Sequence, residues 1–260
     1  MKLLKTLVAA AALAMSAGAF AAPTPVLPGS EQSLQSIING LYTSSSPVSA
    51  APGVMANQAS ESGVFKIEAS GGSYATMIIE IAGLASSNTM GIYDINNPTS
   101  YLQMFAGAAT TGYRSQLEIF ALADGFFKFV STTKTATGDL ISSLAQTFSS
   151  NSFGYYLGAG SPNPTYYSQA AKNANQDDHM IAYQGDGDLI TLNGIKDVMW
   201  GSSSYILAWE DQSLGNDSDY NDLVVYVESV TPVPEPGSLA LLGLGLAGLA
   251  AVTRRKQKKA

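Results

Sequence analysis

Between residues 63 and 231 the apolar positions fall into short runs: "VFKIEA", "YATMIIEIA", "MGIYDI", "YLQMFA", "SQLEIFAL" and "FFKFVS", then "FGYYLGA", "TYYS", "HMIAYQ", "YILAWE" and "LVVYVESV". Gly, Asn, Ser or Pro bounds each run, the punctuation of many short antiparallel strands. "DLISSLAQTF" at 139–148 reads as a helical turn or an irregular strand connection. A different period precedes these runs. Leu34, Ile37, Ile38 and Leu41 recur at helical spacing behind Ser30 as a cap, with Gly40 near the exit, and a Ser/Pro/Gly loop continues to about residue 62. One short helix and roughly ten strands predict an all-β fold, an antiparallel two-sheet β-sandwich of jelly-roll type. There is no internal repeat, which argues against a solenoid or a repeat array.

The two ends follow other rules. Lys2 and Lys5 precede an apolar run from Leu7 to Met15, and small residues then lead to Pro23. This is the layout of a secretory signal peptide, with Ala19 and Ala21 as the A-x-A pair and cleavage expected after Ala21. At the other end Pro232, Pro234 and Pro236 break any preceding element, because proline donates no ladder hydrogen bond. Ser238 to Val252 is uncharged and mostly apolar, a candidate C-terminal hydrophobic helix, and Arg254, Arg255, Lys256, Lys258 and Lys259 follow it. At 15 residues it falls short of the roughly 20 of a full membrane span, and its basic block orients toward the cytoplasm. Pro234-Glu235-Pro236, the apolar stretch and Arg254-Arg255 together resemble the PEP-CTERM sorting signal of Gram-negative bacteria. The resemblance implies processing by a membrane-embedded enzyme of the exosortase type, a transient stay in the inner membrane, and release to the cell surface or matrix. The expected division is 1–21 signal peptide, 22–62 helix and loop, 63–231 sandwich, and 232–260 sorting segment.

Without its ends the chain keeps six basic and nineteen acidic residues, a net charge near −13. Such a field disfavours nucleic acid, whose phosphates need a basic footprint, and suits a divalent cation or a solvated surface. There is no cysteine and one histidine, His179. Disulfides, a catalytic thiol, thiolate zinc and a multi-histidine metal site are therefore excluded. Any metal has to be held by oxygen.

The oxygen is concentrated in "WEDQSLGNDSDYNDLVVYV", residues 209–227. "YILAWE" and "LVVYVES" both alternate as strands, so Asp211 to Asp222 connects two neighbours. The connection gathers Glu210, Asp211, Asp217, Asp219, Asn221 and Asp222, and "QDDHMIAYQ" adds Asp178 alongside. Converging carboxylates of this kind are what calcium requires, with 6–8 oxygen ligands. The loop is not an EF-hand: Asp222 stands where that loop needs glycine, and a strand follows where a helix should begin. The competing reading is turn chemistry alone, because Asp and Asn side chains bond nearby backbone.

The same residues, Trp209, Glu210, Asp211, Asp217, Asp219, Tyr220, Asn221 and Asp222, resemble the C-terminal half of an uncharacterised β-rich domain of bacterial surface proteins. The resemblance implies a surface or matrix location and a calcium site. Three functions follow as expectations. The first is a non-catalytic, calcium-stabilised component of the cell surface, extracellular matrix or biofilm, with exopolysaccharide or other surface proteins as partners. The others are a secreted carbohydrate-active hydrolase and a permanently membrane-anchored protein. No G-x-S-x-G elbow or H-E-x-x-H motif is present, and neighbours on a strand point to opposite faces, making Glu210–Asp211 a poor catalytic pair.

Overall fold

Ser33 has extended backbone (φ −61°, ψ 146°), and its side chain accepts from the Ser36 amide, so the helix α1 (Leu34–Leu41) begins one residue later. The cap is thus Ser33 rather than Ser30; the apolar stripe Leu34, Ile37, Ile38, Leu41 is buried as its spacing requires. The computed structural model describes residues 24–42, 51–59, 63–68, 72–80, 86–159, 164–215 and 218–233.

Fifteen strands follow α1 among these residues: β1 (Val64–Ile67), β2 (Ser73–Glu80), β3 (Thr89–Asp94), β4 (Asn97–Phe105), β5 (Arg114–Ala121), β6 (Phe127–Lys134), β7 (Leu140–Phe148), β8 (Ser152–Gly158), β9 (Thr165–Tyr167), β10 (Met180–Gln184), β11 (Asp188–Leu192), β12 (Ile195–Trp200), β13 (Ser204–Trp209), β14 (Leu223–Glu228) and β15 (Val230–Pro232). One sheet runs β15-β1-β8-β3-β4, with β9 also on β8, and the other runs β10-β13-β14-β2-β5-β6-β7. All their ladders are antiparallel. The chain passes repeatedly between the two sheets, which form an open, sandwich-like all-β unit.

Two stretches depart from the sequence reading. "DLISSLAQTF" supplies the nine-residue edge strand β7, not a helical turn. β11 and β12 form a separate hairpin, with Leu192 opposite Ile195 across Asn193-Gly194. Both turn residues have positive φ, 49° and 83°, which is what a two-residue type I′ connection demands.

The central core lies between the sheets and includes Phe65, Phe129, Phe153, Leu207, Trp209 and Val225. A second cluster joins Ile206, Ala208, Val224 and Tyr226 to Ile37 and Ile38 of α1 and to Ile190 and Trp200 of the hairpin. Consecutive residues of a strand face opposite ways. Leu207 and Trp209 therefore enter one core and Ile206 and Ala208 the other, which is why every residue of β13 is buried. The hairpin and α1 thus roof part of the outer face of the seven-stranded sheet. Among the described residues no helix is long and apolar enough to cross a membrane; the signal peptide, the expected C-terminal helix and the sorting segment after Val233 lie outside them, and Pro232, expected to break the preceding element, instead closes β15 opposite Phe65.

Candidate metal centre

β13 and β14 stay in register from Ser204–Glu228 to Trp209–Leu223. Glu210 and Asp222 are consequently the next residues beyond the last ladder pair. β10 lies on the other side of β13, with Met180 opposite Trp209. The Glu210 amide donates to the His179 carbonyl (3.1 Å), and His179 Nδ1 lies 3.1 Å from the Glu210 carbonyl oxygen. Oxygens of Glu210, Asp211 and Asp222 lie within 4.8 Å of one another, and all three residues are buried. The divergence expected of adjacent strand residues fails for Glu210 and Asp211 because β13 ends at Trp209. The Gln212 amide turns back onto Glu210 Oε1 (3.2 Å), while the Asp211 amide donates to Asp222 Oδ2 (2.8 Å). Asn88, just ahead of β3, donates from Nδ2 to Asp211 Oδ2 at 2.8 Å.

Burial drives the Asp222 carboxyl up to about 7, and the negative charges of Asp211 and Asp219 push the same way. The Asp211 amide and the Glu210 side chain pull against them. The charges acting on Asp222 are thus themselves acidic. Tyr166 stacks on His179, centroids 3.7 Å apart and 18° from parallel. Burial raises the phenol, with Asp211 and Glu210 adding repulsion, and burial lowers His179 against the opposing pull of the Glu210 carbonyl and Asp177.

The donor set fits calcium. Three buried carboxylates are unfavourable as bare anions in a low dielectric and call for a proton or a cation. Oδ1 of Asn88, whose Nδ2 bonds Asp211, is also buried without a hydrogen-bond partner, a costly condition that coordination relieves. An all-oxygen set suits a hard cation and not zinc.

The remaining sequence candidates face the N-terminal arm. Asp219 Oδ2 accepts from Asn221 Nδ2 (2.8 Å), and the same Nδ2 lies 2.9 Å from the Gln32 carbonyl oxygen, to which it also donates. The Leu27 amide donates to the Ser218 carbonyl (3.0 Å), and Thr24 Oγ1 to Asp178 Oδ2 (2.8 Å). A Cβ on Gly29 would lie 1.8 Å from Asp219 Oδ2, so this carboxylate rests against the arm's backbone. Tyr220, buried with φ 56°, donates to the Asp178 carbonyl (2.5 Å). The acidic loop therefore has two jobs: Asp211 and Asp222 converge with Glu210, while Asp219 and Asn221, with Asp178 from the segment before β10, clasp the arm. Asp217, Pro234, Glu235, Pro236, Arg254, Arg255, Ala19 and Ala21 lie outside the described residues. Sequence reasoning missed Asn88, which sits 123 positions from Asp211 in a segment that reads as an ordinary turn.

Two family comparisons match the chain. Residues 119–230 match a domain of unknown function (DUF4114), and residues 232–256 match the PEP-CTERM protein-sorting motif. The first match begins inside β5, so the seven-stranded sheet also needs β2, which lies between β14 and β5. No curated protein and no solved structure matches the chain.

Proposed function

Starting from a chain that carries the PEP-CTERM motif, and so is exported, transiently anchored, cleaved by an exosortase and delivered to the cell surface, we propose that its β domain is a non-catalytic surface or matrix module clamped by calcium. The observation that carries this reading is the buried trio Glu210, Asp211 and Asp222, within 4.8 Å and pressed by further acidic charge. Calcium there ties the open ends of β13 and β14 to Asn88, at the head of β3 in the other sheet. The same loop grips the N-terminal arm. That is a stabilising role in a chain with no cysteine to make disulfides.

Burial also supports the non-catalytic reading. Two carboxyls about 5 Å apart are the arrangement of a retaining glycosidase, yet Glu210 and Asp211 are 0% exposed, leaving a sugar no access. His179 is buried, its Nδ1 is held by the Glu210 carbonyl oxygen, and burial lowers its basicity, so it makes a weak base with no open face. The test is a thermal melt of the exported protein in calcium and in chelator at fixed ionic strength. Calcium a hundredfold above its dissociation constant adds about 2.7 kcal/mol, read as a rise of several degrees. Equal melting temperatures, with calorimetry silent, would sink the proposal. Intact mass tests processing: release after Pro236 removes about 2.5 kDa, at ~0.1 kDa for each residue lost, whereas full mass would favour a permanent anchor.

A further inference from the structure

The roof over the seven-stranded sheet stops at Tyr226, and beyond it the outer face opens into a cleft. Tyr74, Arg114, Gln116, Thr132 and Lys134 line a cavity of about 330 Å³ together with the β6–β7 turn. A second space of about 230 Å³ shares Tyr74 and Arg114, is walled by Leu192, Ile195 and Val198 of the hairpin, and is also lined by Glu228, the cross-strand partner of Tyr74. The two walls meet at one end: a Cβ on Gly112 would lie 2.9 Å from Ala136 Cβ and 3.9 Å from Asn193 Cβ. The floor is therefore a trough, closed beside Arg114, with Tyr74, 42% exposed as a residue, common to its two parts.

The charge of the larger part of this trough runs against that of the domain: its charged lining is Arg114 and Lys134, while Glu228 stands in the smaller part. Only six basic residues occur between 22 and 231, and two of them, Arg114 and Lys134, are direct cross-strand partners. Like charges placed opposite one another cost stability. Both are exposed, and among the described residues neither forms a salt bridge. Two cations held side by side await an anion. Arg offers a planar fork that grips a carboxylate with two hydrogen bonds, and Lys adds a compact point charge. Gln116 and Thr132 add donors and acceptors suited to hydroxyl groups.

We propose that this trough binds an acidic polysaccharide: a uronate carboxylate between Arg114 and Lys134, with a sugar ring laid on Tyr74. An aromatic face attracts the weakly positive C–H face of a sugar through its quadrupole. An acidic peptide fits less well, because the floor is a sheet face and not an edge, leaving a peptide backbone no ladder to join. The domain's net negative charge does not forbid the contact, since salt screens charges beyond about 8 Å at physiological ionic strength. The proposal rests on reading the domain as a surface binding module and supplies its ligand class.

The test titrates exported protein with oligogalacturonate by calorimetry, in calcium and in chelator, with a neutral dextran oligomer and oligoglutamate as comparisons. Oligogalacturonate is expected to bind in both conditions, to weaken with salt, and to lose at least tenfold in affinity in R114Q/K134Q and in Tyr74→Ala. Dextran is expected to stay silent and oligoglutamate to bind at least tenfold more weakly. Equal binding by the variants overturns the proposal, as does equal affinity for oligoglutamate, or binding that vanishes in chelator. All variants are melted with and without calcium. A retained calcium shift with lost sugar binding supports the cleft, whereas a lost shift in wild-type protein refutes the calcium reading alone.

Discussion

Asp222→Asn separates a calcium site from a set of turn hydrogen bonds, because the two accounts give opposite signs. Asn keeps a carbonyl oxygen to accept from the Asp211 amide, now 2.8 Å from Asp222 Oδ2, and removes one charge from a buried trio. The Asp222 carboxyl stands at about 7, roughly three units above its ordinary value. At 1.36 kcal/mol per unit, the ionised group costs the metal-free protein on the order of 4 kcal/mol at pH 8. The neutral amide relieves most of that cost. In chelator at pH 8 the variant is expected to melt above wild type, by several degrees at about 2–4 °C per kcal/mol for a domain of this size. In saturating calcium the wild type gains about 2.7 kcal/mol or more, and the variant gains little. The order of the two melting curves then narrows or inverts. Differential scanning calorimetry at pH 8 in chelator and in calcium reads both arms. A variant less stable than wild type in chelator, keeping the full calcium shift, would refute the electrostatic reasoning.

Other consequences follow from the same geometry. Because the folded Asp222 carboxyl lies above its unfolded value, the native state holds the extra proton between about 4 and 7. The contribution of Asp222 to metal-free stability is therefore full below about 4, falls across that window by up to about 1.4 kcal/mol per unit, and levels off above 7; melts from pH 5 to 8 check this, and calcium should reverse the trend. Asn88→Ala removes the donor to Asp211 Oδ2 and is expected to weaken calcium binding about 10–100-fold, as loss of a supporting partner does; calorimetric titration measures it. Gly29→Ala drives a Cβ into Asp219 Oδ2, with an expected cost of about 1–3 kcal/mol. Limited proteolysis of the arm before α1, followed against the melting temperature, shows whether the loss is local.

Much of this architecture was legible in the chain. Short apolar runs bounded by Gly, Asn, Ser or Pro marked most strands of both sheets, and the hairpin β13–β14 could be placed with its acidic loop because two such runs flank it; the alternation expected of those flanks gives way to burial on both faces. β11 and β12 escaped notice although Asn193-Gly194 is a strong two-residue turn signal, because acidic and polar residues around it dilute the pattern. β7 was obscured for a physical reason: as an edge strand it exposes Leu140, Ile141 and Leu144, so no buried face imposes a clear alternation. At the site, composition showed that oxygen was the only available metal donor. Sequence could not sort the six described candidates into a converging trio and an arm clasp. That division depends on where β13 stops and on Thr24, Gln32 and Asn88, all far away in the chain.

The most direct measurement of the central claim is a crystal structure of the exported protein grown in calcium, with anomalous data collected. The account predicts an anomalous peak bounded by Glu210, Asp211 and Asp222, with oxygens at about 2.3–2.6 Å. Carboxylates holding only water or each other at saturating calcium, with no peak among them, would contradict it.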